Sequence, residues 1–224
     1  MTNRGKLLTL GVKGILRLIC RVEGRPLQGV PTEGPLIIIV NHINFLEVPL
    51  ISTHMLPREF RALTKKETWD NPFFRILADS WGGIPLDREN PGIETFRRSL
   101  ESLKDNKILF IAPEGTRTED GILREGHLGV TSLALKSGAP ILPIAHFGGE
   151  HFWKNIKRMR RTRVTFNVGD QVIINSPVAI NKRVKREITD QLMYQLAALM
   201  PENYRGHYRV ERSFEHTYIA PVDP

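Results

Sequence analysis

Cysteine and long apolar runs are scarce in this sequence, and each shortage argues against a class of protein. The one cysteine, Cys20, rules out a disulfide within the chain and suits a reducing compartment. No apolar run reaches the roughly 18 residues of a membrane-spanning helix, because Lys13 and Arg17 interrupt the apolar stretch near the N-terminus. That stretch has no small-residue cleavage site, so we do not expect a secretory signal.

The charge balance favours an anionic partner. Lysine and arginine total 32 against 24 acidic residues, which gives a net charge of +8. Nucleic acid, an acidic membrane surface or a phosphorylated substrate would each fit such a balance. The sequence carries no nucleic-acid-binding motif, and we expect no nucleic-acid partner. It also lacks Gly-x-Ser-x-Gly and Gly-x4-Gly-Lys-Ser/Thr, which disfavours a serine hydrolase of that type and a P-loop nucleotidase.

Strand and helix patterns alternate along most of the chain. Buried-strand patterns occur at 36–40, 60–64, 82–86, 107–112, 141–147, 163–168 and 171–174. Apolar residues at helical spacing fill the intervals, and the last helical pattern ends before Pro201. The sequence therefore predicts a single α/β domain with a mixed, largely parallel sheet flanked by helices.

An amphipathic helix is predicted ahead of this domain, at residues 6–22. Its apolar residues are Leu8, Val12, Ile15, Ile19 and Val22, and its basic residues are Lys13, Arg17 and Arg21. The pattern fits a helix lying in an anionic bilayer surface, and it equally fits a helix packed on the domain with one solvated edge. We divide the chain into this helix at 1–24, a domain at 25–203 and a tail at 204–224 without clear periodicity.

A histidine and an acid follow the first strand of the predicted domain. Imidazole titrates near neutral pH, so His42 can take a proton from a hydroxyl group. Glu47 can hold the other ring nitrogen of His42 if the chain turns into a helix after the strand. By itself this spacing is weak evidence, because histidines at strand ends are often merely hydrogen-bonded.

A turn at 113–117 follows another predicted strand, and its residue types suit an anion-binding site. The planar fork of Arg117 matches phosphate oxygens, and Gly115 allows backbone amides to approach an anion closely. Glu114 can hold Arg117 or a neighbouring loop in place. A surface turn with an incidental ion pair would contain the same residues, so the turn alone does not decide between the two.

Four segments, in order, resemble the four blocks of the glycerolipid acyltransferase family, which includes the 1-acylglycerol-3-phosphate acyltransferases. Asn41-His42 and Glu47 resemble the Asn-His-x4-Asp block, and 83–88 resembles the second block. Residues 113–117 read Pro-Glu-Gly-Thr-Arg and match the third block, the loop at 121–126 resembles the phosphate-side loop after it, and 141–144 resembles the fourth block. The resemblance covers roughly residues 35–150.

The resemblance implies a set of site residues. His42 would be the general base on a hydroxyl group, and Glu47 would orient it. The acceptor would be bound by Asn41, Arg88, Glu114, Gly115, Thr116, Arg117 and Arg124. No metal and no other cofactor is implied, because the co-substrate, acyl-CoA or acyl-carrier protein, is an activated thioester.

The resemblance also implies a reaction and a location. An acyl group would pass to a lysophospholipid hydroxyl, foremost that of 1-acylglycerol 3-phosphate, to give phosphatidic acid. The N-terminal helix would bind an anionic membrane surface, which would make this a peripheral or monotopic protein of the cytoplasmic face. The basic run at 154–163 would be a solvated surface, or would contact lipid headgroups or the donor's phosphates.

One departure from the family pattern keeps alternatives open. Glu47 stands where the family has aspartate, which adds one methylene between backbone and carboxylate. The alternatives are an enzyme of the same fold acting on glycerol 3-phosphate, another lysophospholipid or an aminolipid, and a lipid-binding protein that has lost the chemistry. His146 and His151 have no third ligand at zinc-site spacing, so we predict loop or core roles for them.

Overall fold

A computed structural model describes residues 3–23, 30–54, 58–87, 92–210 and 212–222. The strands are β1 (Cys20–Glu23), β2 (Leu36–Val40), β3 (Phe60–Lys65), β4 (Ile84–Leu86), β5 (Ile108–Ile111), β6 (Ile141–Phe147), β7 (Thr162–Val168), β8 (Val172–Ile174) and β9 (Ile219–Pro221). The α-helices are α1 (Asn3–Ile19), α2 (Glu47–Ser52), α3 (Pro72–Ser80), α4 (Ile93–Lys104), α5 (Gly129–Ser137), α6 (Phe152–Ile156) and α7 (Lys182–Ala198). Single 3-10 turns lie at Lys66–Asp70, Gly149–His151, Glu202–Tyr204 and Gly206–Tyr208.

The strands form one sheet in the order β1-β7-β6-β2-β5-β3-β4, with β8 beside β6 and β9 beside β8. Strand β2 runs parallel to β5 and β6, and β3 runs parallel to β4 and β5. The antiparallel pairs are β6 with β7, β6 with β8, and β8 with β9. The prediction of a mixed, largely parallel sheet flanked by helices is confirmed.

The centre of the sheet is apolar on both faces. All five side chains of β2 and all four of β5 are buried, as expected for parallel strands covered by helices on both sides. Alternate residues serve opposite layers: Ile38 packs with Phe110 under α1 and α2, whereas Ile37 packs with Leu109 against α5 and α7. This alternation explains why these strands read as unbroken apolar runs.

The first helix begins and ends three residues earlier than predicted. It ends at Ile19, and Cys20–Glu23 form β1, which pairs parallel with β7. The prediction of helix through Val22 was therefore wrong for its last residues. Cys20 is buried while Arg21 is exposed, and this two-residue alternation suits a strand once β7 supplies hydrogen-bond partners.

Helix α1 has two apolar faces. Leu8, Val12 and Ile19 pack against the core, and the indole Nε1 of Trp81 donates to the hydroxyl of Thr9 at 3.0 Å. The predicted apolar face is thus mainly a packing face, and Ile15 of that set is exposed. A second apolar face, made of Leu7, Leu10, Ile15 and Leu18, is solvent-exposed, with 56–75% of each side chain accessible. No described helix is long and apolar enough to cross a bilayer.

The C-terminal segment packs back onto the domain. Tyr208 and Tyr218 are buried, and β9 continues the sheet beyond β8. The Tyr208 hydroxyl accepts a hydrogen bond from the amide of Gly126 at 3.1 Å and donates one to Asp190 on α7 at 3.2 Å. This segment therefore contacts the same loop that carries the predicted phosphate-side residues.

Candidate active site

The carboxyl ends of β2, β5 and β6 meet at one edge of the sheet, where open α/β folds bind ligands. His42 follows β2, the 113–117 turn follows β5, and His146 is the penultimate residue of β6. The two predicted motifs, about seventy residues apart in sequence, therefore lie side by side. Parallel pairing alone causes this, because it places equivalent strand ends at the same edge.

His42 and Glu47 are in direct contact. A short turn after β2 brings the Nδ1 atom of His42 against Oε1 of Glu47, the first residue of α2. Asn44 shapes that turn. Its side-chain oxygen accepts from the backbone amide of Leu46 at 2.8 Å, and its backbone N–H group lies 3.4 Å from Oε2 of Glu47. The longer acid thus reaches the imidazole.

The environment keeps Glu47 ionised although it is buried. Burial opposes the charged form, but the hydrogen bond and charge of His42 outweigh it and lower the pKa of Glu47. The side chain of His42 keeps 15% of its surface exposed. Its Nε2 atom has no hydrogen-bond partner among the described residues, so this nitrogen is available to a bound hydroxyl group.

Glu114 joins the two loops of the site. Its buried carboxyl group accepts from the amide of His42 at 2.7 Å and from the amide of Arg124 at 2.9 Å. Burial raises the pKa of Glu114 to about 7, and the two amide bonds only partly offset that effect. The amide of Thr118 adds a third tie by donating to the His42 carbonyl at 2.8 Å. Glu114 thus holds the backbones of the two loops together, because its carboxyl group accepts hydrogen bonds from an amide of each.

Arg117 is an unpaired cation on the turn after β5. Arg117 and Thr116 are exposed, and the Arg117 guanidinium has no hydrogen bond or ion pair within the described part of the chain. Gly115 has a positive φ of 66°, and a Cβ atom there would lie 2.8 Å from the ring of His127. Glycine is therefore required both by the left-handed backbone and by the close approach of His127, a neighbour that no sequence motif had indicated.

Three other predicted site residues have different surroundings. The amide side chain of Asn41 is buried and bonds the backbone of His146 in both directions, at 2.8 Å each. Asn41 therefore joins the ends of β2 and β6, and its side-chain polar groups are used within the fold. The guanidinium of Arg124 lies at the surface, 3.0 Å from Asp120. Arg88 lies outside the described residues.

An aromatic cluster borders the site on the side of α3 and α6. The ring of Phe45 lies 5.4 Å from that of Phe152, 5.6 Å from that of Trp153 and 6.5 Å from that of Phe74, between centroids. Trp153 and Phe73 are 60% and 59% exposed. In the described ranges, no three His, Cys, Asp or Glu side chains converge as a metal site would require.

Comparisons with known proteins identify the family of the chain. A model of the acyltransferase family matches residues 21–146, more than half of the chain. The 1-acyl-sn-glycerol-3-phosphate acyltransferase of Bacillus subtilis is 29% identical over 144 residues, which cover 64% of this chain and 71% of that protein. The Pseudomonas aeruginosa protein of the same name is 33% identical over 150 residues, 66% of this chain but only 55% of that protein.

A solved structure shares the fold. The crystal structure of the 1-acyl-sn-glycerophosphate acyltransferase from Thermotoga maritima matches with a TM-score of 0.62. The match covers 89% of this chain and 82% of that chain, at 22% sequence identity. At that identity the likeness concerns the α/β architecture, so the chemistry is argued from the side chains described above.

Proposed function

The chain belongs to the acyltransferase family, and from this premise we propose that it transfers a fatty acyl group from a thioester to the free hydroxyl of 1-acylglycerol 3-phosphate. The product would be phosphatidic acid. One observation carries the proposal: the His42–Glu47 pair leaves Nε2 of the imidazole available, and the turn that carries the unpaired Arg117 is hydrogen-bonded to the backbone of His42. A phosphorylated alcohol needs a base for its hydroxyl group and a cation for its phosphate at the same edge of the sheet.

The reaction follows from these positions. Nε2 of His42 takes the proton of the acceptor hydroxyl while its oxygen attacks the thioester carbonyl carbon. Glu47 stabilises the imidazolium that forms, and it keeps the protonated nitrogen turned toward itself. When the carbon–sulfur bond breaks, the thiolate takes the proton back from His42. An ester and a free thiol result, and no covalent acyl-enzyme is needed.

The acceptor's phosphate is assigned to the loops after β5. Arg117 is the principal phosphate contact in this proposal, because its fork is exposed and unpaired. Thr116 and the Gly115 backbone lie on the same turn, and Arg124 and Arg88 complete the proposed acceptor set. Asn41 and Glu114 support the site by holding backbone groups.

The enzyme would work at a membrane surface, since both lipid substrate and product reside there. The exposed apolar face of α1 and the exposed Phe73 and Trp153 would enter the headgroup region, with Lys13 and Arg17 meeting anionic lipids. We assign this contact to the cytoplasmic face and treat the protein as peripheral. The basic run at 154–163, next to Trp153, would receive the phosphates of acyl-CoA or an acidic acyl-carrier protein.

A lipid-binding protein without chemistry is the second candidate, and its only support is the glutamate at 47. The contact between Glu47 and His42 weakens that argument, because the longer acid still meets the ring. A catalytically competent site is therefore the stronger interpretation of this geometry.

Thiol release from acyl-CoA, measured with and without 1-acylglycerol 3-phosphate in vesicles, tests the proposal. His42→Ala should lower acceptor-dependent release by about 10²–10⁴-fold, the usual contribution of a general base. Arg117→Gln should chiefly raise the KM for the acceptor, by about tenfold to a hundredfold for one charged hydrogen bond. His216→Ala, in the tail against α7, is the matched control and should retain activity.

Two outcomes would contradict the proposal. Acceptor-dependent release that survives His42→Ala would remove the histidine from the chemistry. Absence of release by the wild type with both acyl-CoA and acyl-carrier protein as donors would favour the lipid-binding candidate.

A further inference from the structure

A cavity of about 240 Å³ lies between α1, β1 and the end of α2. Four basic residues line it, namely Lys13 and Arg17 of α1, Arg21 of β1 and Arg161 just before β7. Among the described residues that line the cavity, none is acidic, although Arg21 also pairs with Glu23 at 3.3 Å. A concave site whose charged groups are all cationic attracts an anion.

The cavity is separate from the catalytic pair, although both lie at the same edge of the sheet. Cys20, which lines the cavity, pairs with Thr162 at the start of β7, and β7 runs antiparallel to β6. The starts of β1 and β7 therefore lie at the edge where β6 ends. Helix α2 begins at Glu47, whereas Thr53 and His54 line the cavity from beyond its other end. No lining residue belongs to the proposed acceptor set.

Three of the four cations are not neutralised by the described part of the chain. Neither Lys13 nor Arg17 forms an ion pair or a hydrogen bond with a described residue. The guanidinium of Arg161 donates to a neutral group, the carbonyl of Cys20, at 3.2 Å from Nε and 2.7 Å from Nη2. Like charges around one cavity repel one another, and a bound anion would replace that repulsion by attraction.

The adjoining surface of α1 suits an acyl chain. Leu10 lies three residues before Lys13 and seven before Arg17, so it shares their side of the helix, and it is 56% exposed. The exposed Leu7 and Leu18 continue this apolar surface. A cavity of about 240 Å³ is smaller than the roughly 300–1,000 Å³ of sites that enclose a drug-sized molecule. It would therefore hold a small headgroup while the chains lie outside, along α1.

We propose that this cavity binds the phosphate of an anionic glycerophospholipid and prefers a terminal phosphate group, as in phosphatidic acid. A terminal phosphate offers three unesterified oxygens to Lys13, Arg17 and Arg161, whereas a phosphate within a diester offers only two. The inference rests on the proposed membrane contact of α1 and deepens it, because it assigns a discrete lipid site to what would otherwise be a charged surface.

Co-sedimentation with vesicles that carry phosphatidic acid or phosphatidylglycerol at equal surface charge tests the site. Each cavity variant has a control with the same change of charge on the same element. Lys13→Gln is compared with Lys6→Gln, two turns earlier on α1, and Arg161→Gln with Arg158→Gln, on the same segment between α6 and β7. Lys6 and Arg158 do not line the cavity. No acyl donor is present, so turnover plays no part in the measurement.

The wild type should bind the phosphatidic acid vesicles about tenfold more tightly than the phosphatidylglycerol vesicles, for one additional charged hydrogen bond. Lys13→Gln and Arg161→Gln should each weaken binding to phosphatidic acid by about tenfold to a hundredfold and reduce the preference for it. Lys6→Gln and Arg158→Gln should weaken binding to both vesicles by roughly fivefold, as one surface charge does, and keep the preference. Lys13→Gln breaks no contact with a described residue, so it tests the site even where Arg161→Gln fails to fold.

Equal losses in Lys13→Gln and Lys6→Gln, or equal binding of the wild type to the two vesicles, would overturn the proposal and leave α1 an ordinary basic surface.

The ring signals of His54 provide a second measurement, because this residue lines the cavity and its Nδ1 atom is held 2.7 Å from the carbonyl oxygen of Leu50. In NMR spectra, with the signals assigned from His54→Gln, dispersed short-chain phosphatidic acid should shift them. Inorganic phosphate should need a concentration roughly a hundredfold higher, because only the lipid also covers the apolar side chains of α1. An equal response to both would assign the cavity to a free anion and overturn the lipid site. The expected His54 response without binding to either vesicle would support the site and remove the proposed membrane contact alone.

Discussion

Replacement of Gly206 by alanine should destabilise the contact between the C-terminal segment and the loop at 120–126. Gly206 has a positive φ of 47°, and a Cβ atom there would lie 2.2 Å from the carbonyl oxygen of Leu123. That oxygen cannot withdraw freely, since it accepts from the amide of His207 at 3.1 Å. The amide of Leu123 also donates to the carbonyl of Tyr204 at 2.8 Å. The added methyl group therefore forces these two hydrogen bonds apart.

The expected loss of stability in Gly206→Ala has two parts. Alanine in the left-handed region costs about 1–2 kcal/mol, and loss of two backbone hydrogen bonds costs about 1 kcal/mol each. Gly206→Ala should thus lower the free energy of unfolding by about 3–4 kcal/mol. Gly138 has a similar φ of 65°, but a Cβ atom there would meet no described atom within 4 Å. Gly138→Ala should therefore lose only the backbone part, about 1–2 kcal/mol.

Urea unfolding of the two variants measures this difference directly. The acceptor KM should also rise in Gly206→Ala, because the displaced loop carries Arg124, and it should not rise in Gly138→Ala. Equal destabilisation of the two variants, within about 0.5 kcal/mol, would refute the argument that the tail braces this loop.

Two further predictions concern charge and surface. The pKa of Glu114 is raised from 4.5 to about 7, so folding takes up a proton when the pH lies between these two values. The free energy of unfolding should therefore fall by up to about 3 kcal/mol as the pH rises from 4.5 to about 7. Urea unfolding of Glu114→Gln should lack this pH dependence. A pH dependence that persists in the variant would contradict the raised pKa of Glu114. Leu7→Gln and Leu18→Gln, at side chains 73% and 75% exposed, should each weaken co-sedimentation with anionic vesicles by roughly tenfold without loss of stability. Val210→Gln, 77% exposed on the tail, should have no effect, and equal binding by all three variants would exclude α1 from the membrane contact.

Local pattern was enough to predict the framework of the site. The central strands are predictable because parallel strands covered on both faces must be apolar throughout, as β2 and β5 are. The contact of His42 with Glu47 is predictable for a related reason. A single turn joins the two residues, so few backbone paths exist and the spacing nearly determines the geometry.

The residues that support the site were not predictable in this way. His146 bonds to Asn41 only because β6 pairs with β2, and a pairing between segments 105 positions apart has no local signature. His127 comes close to Gly115 through the fold of a loop. The same holds for β1, which reads as the end of a helix until β7 offers it hydrogen-bond partners.

The sequence by itself determined the α/β class, the buried strands and the motifs that carry the chemistry, because these depend on periodicity and on short-range spacing. Tertiary structure decided which face of α1 is buried, how the tail braces the phosphate-side loop and which groups surround Glu47. These features depend on contacts between distant segments, whose free energies arise only once the sheet has brought the segments together.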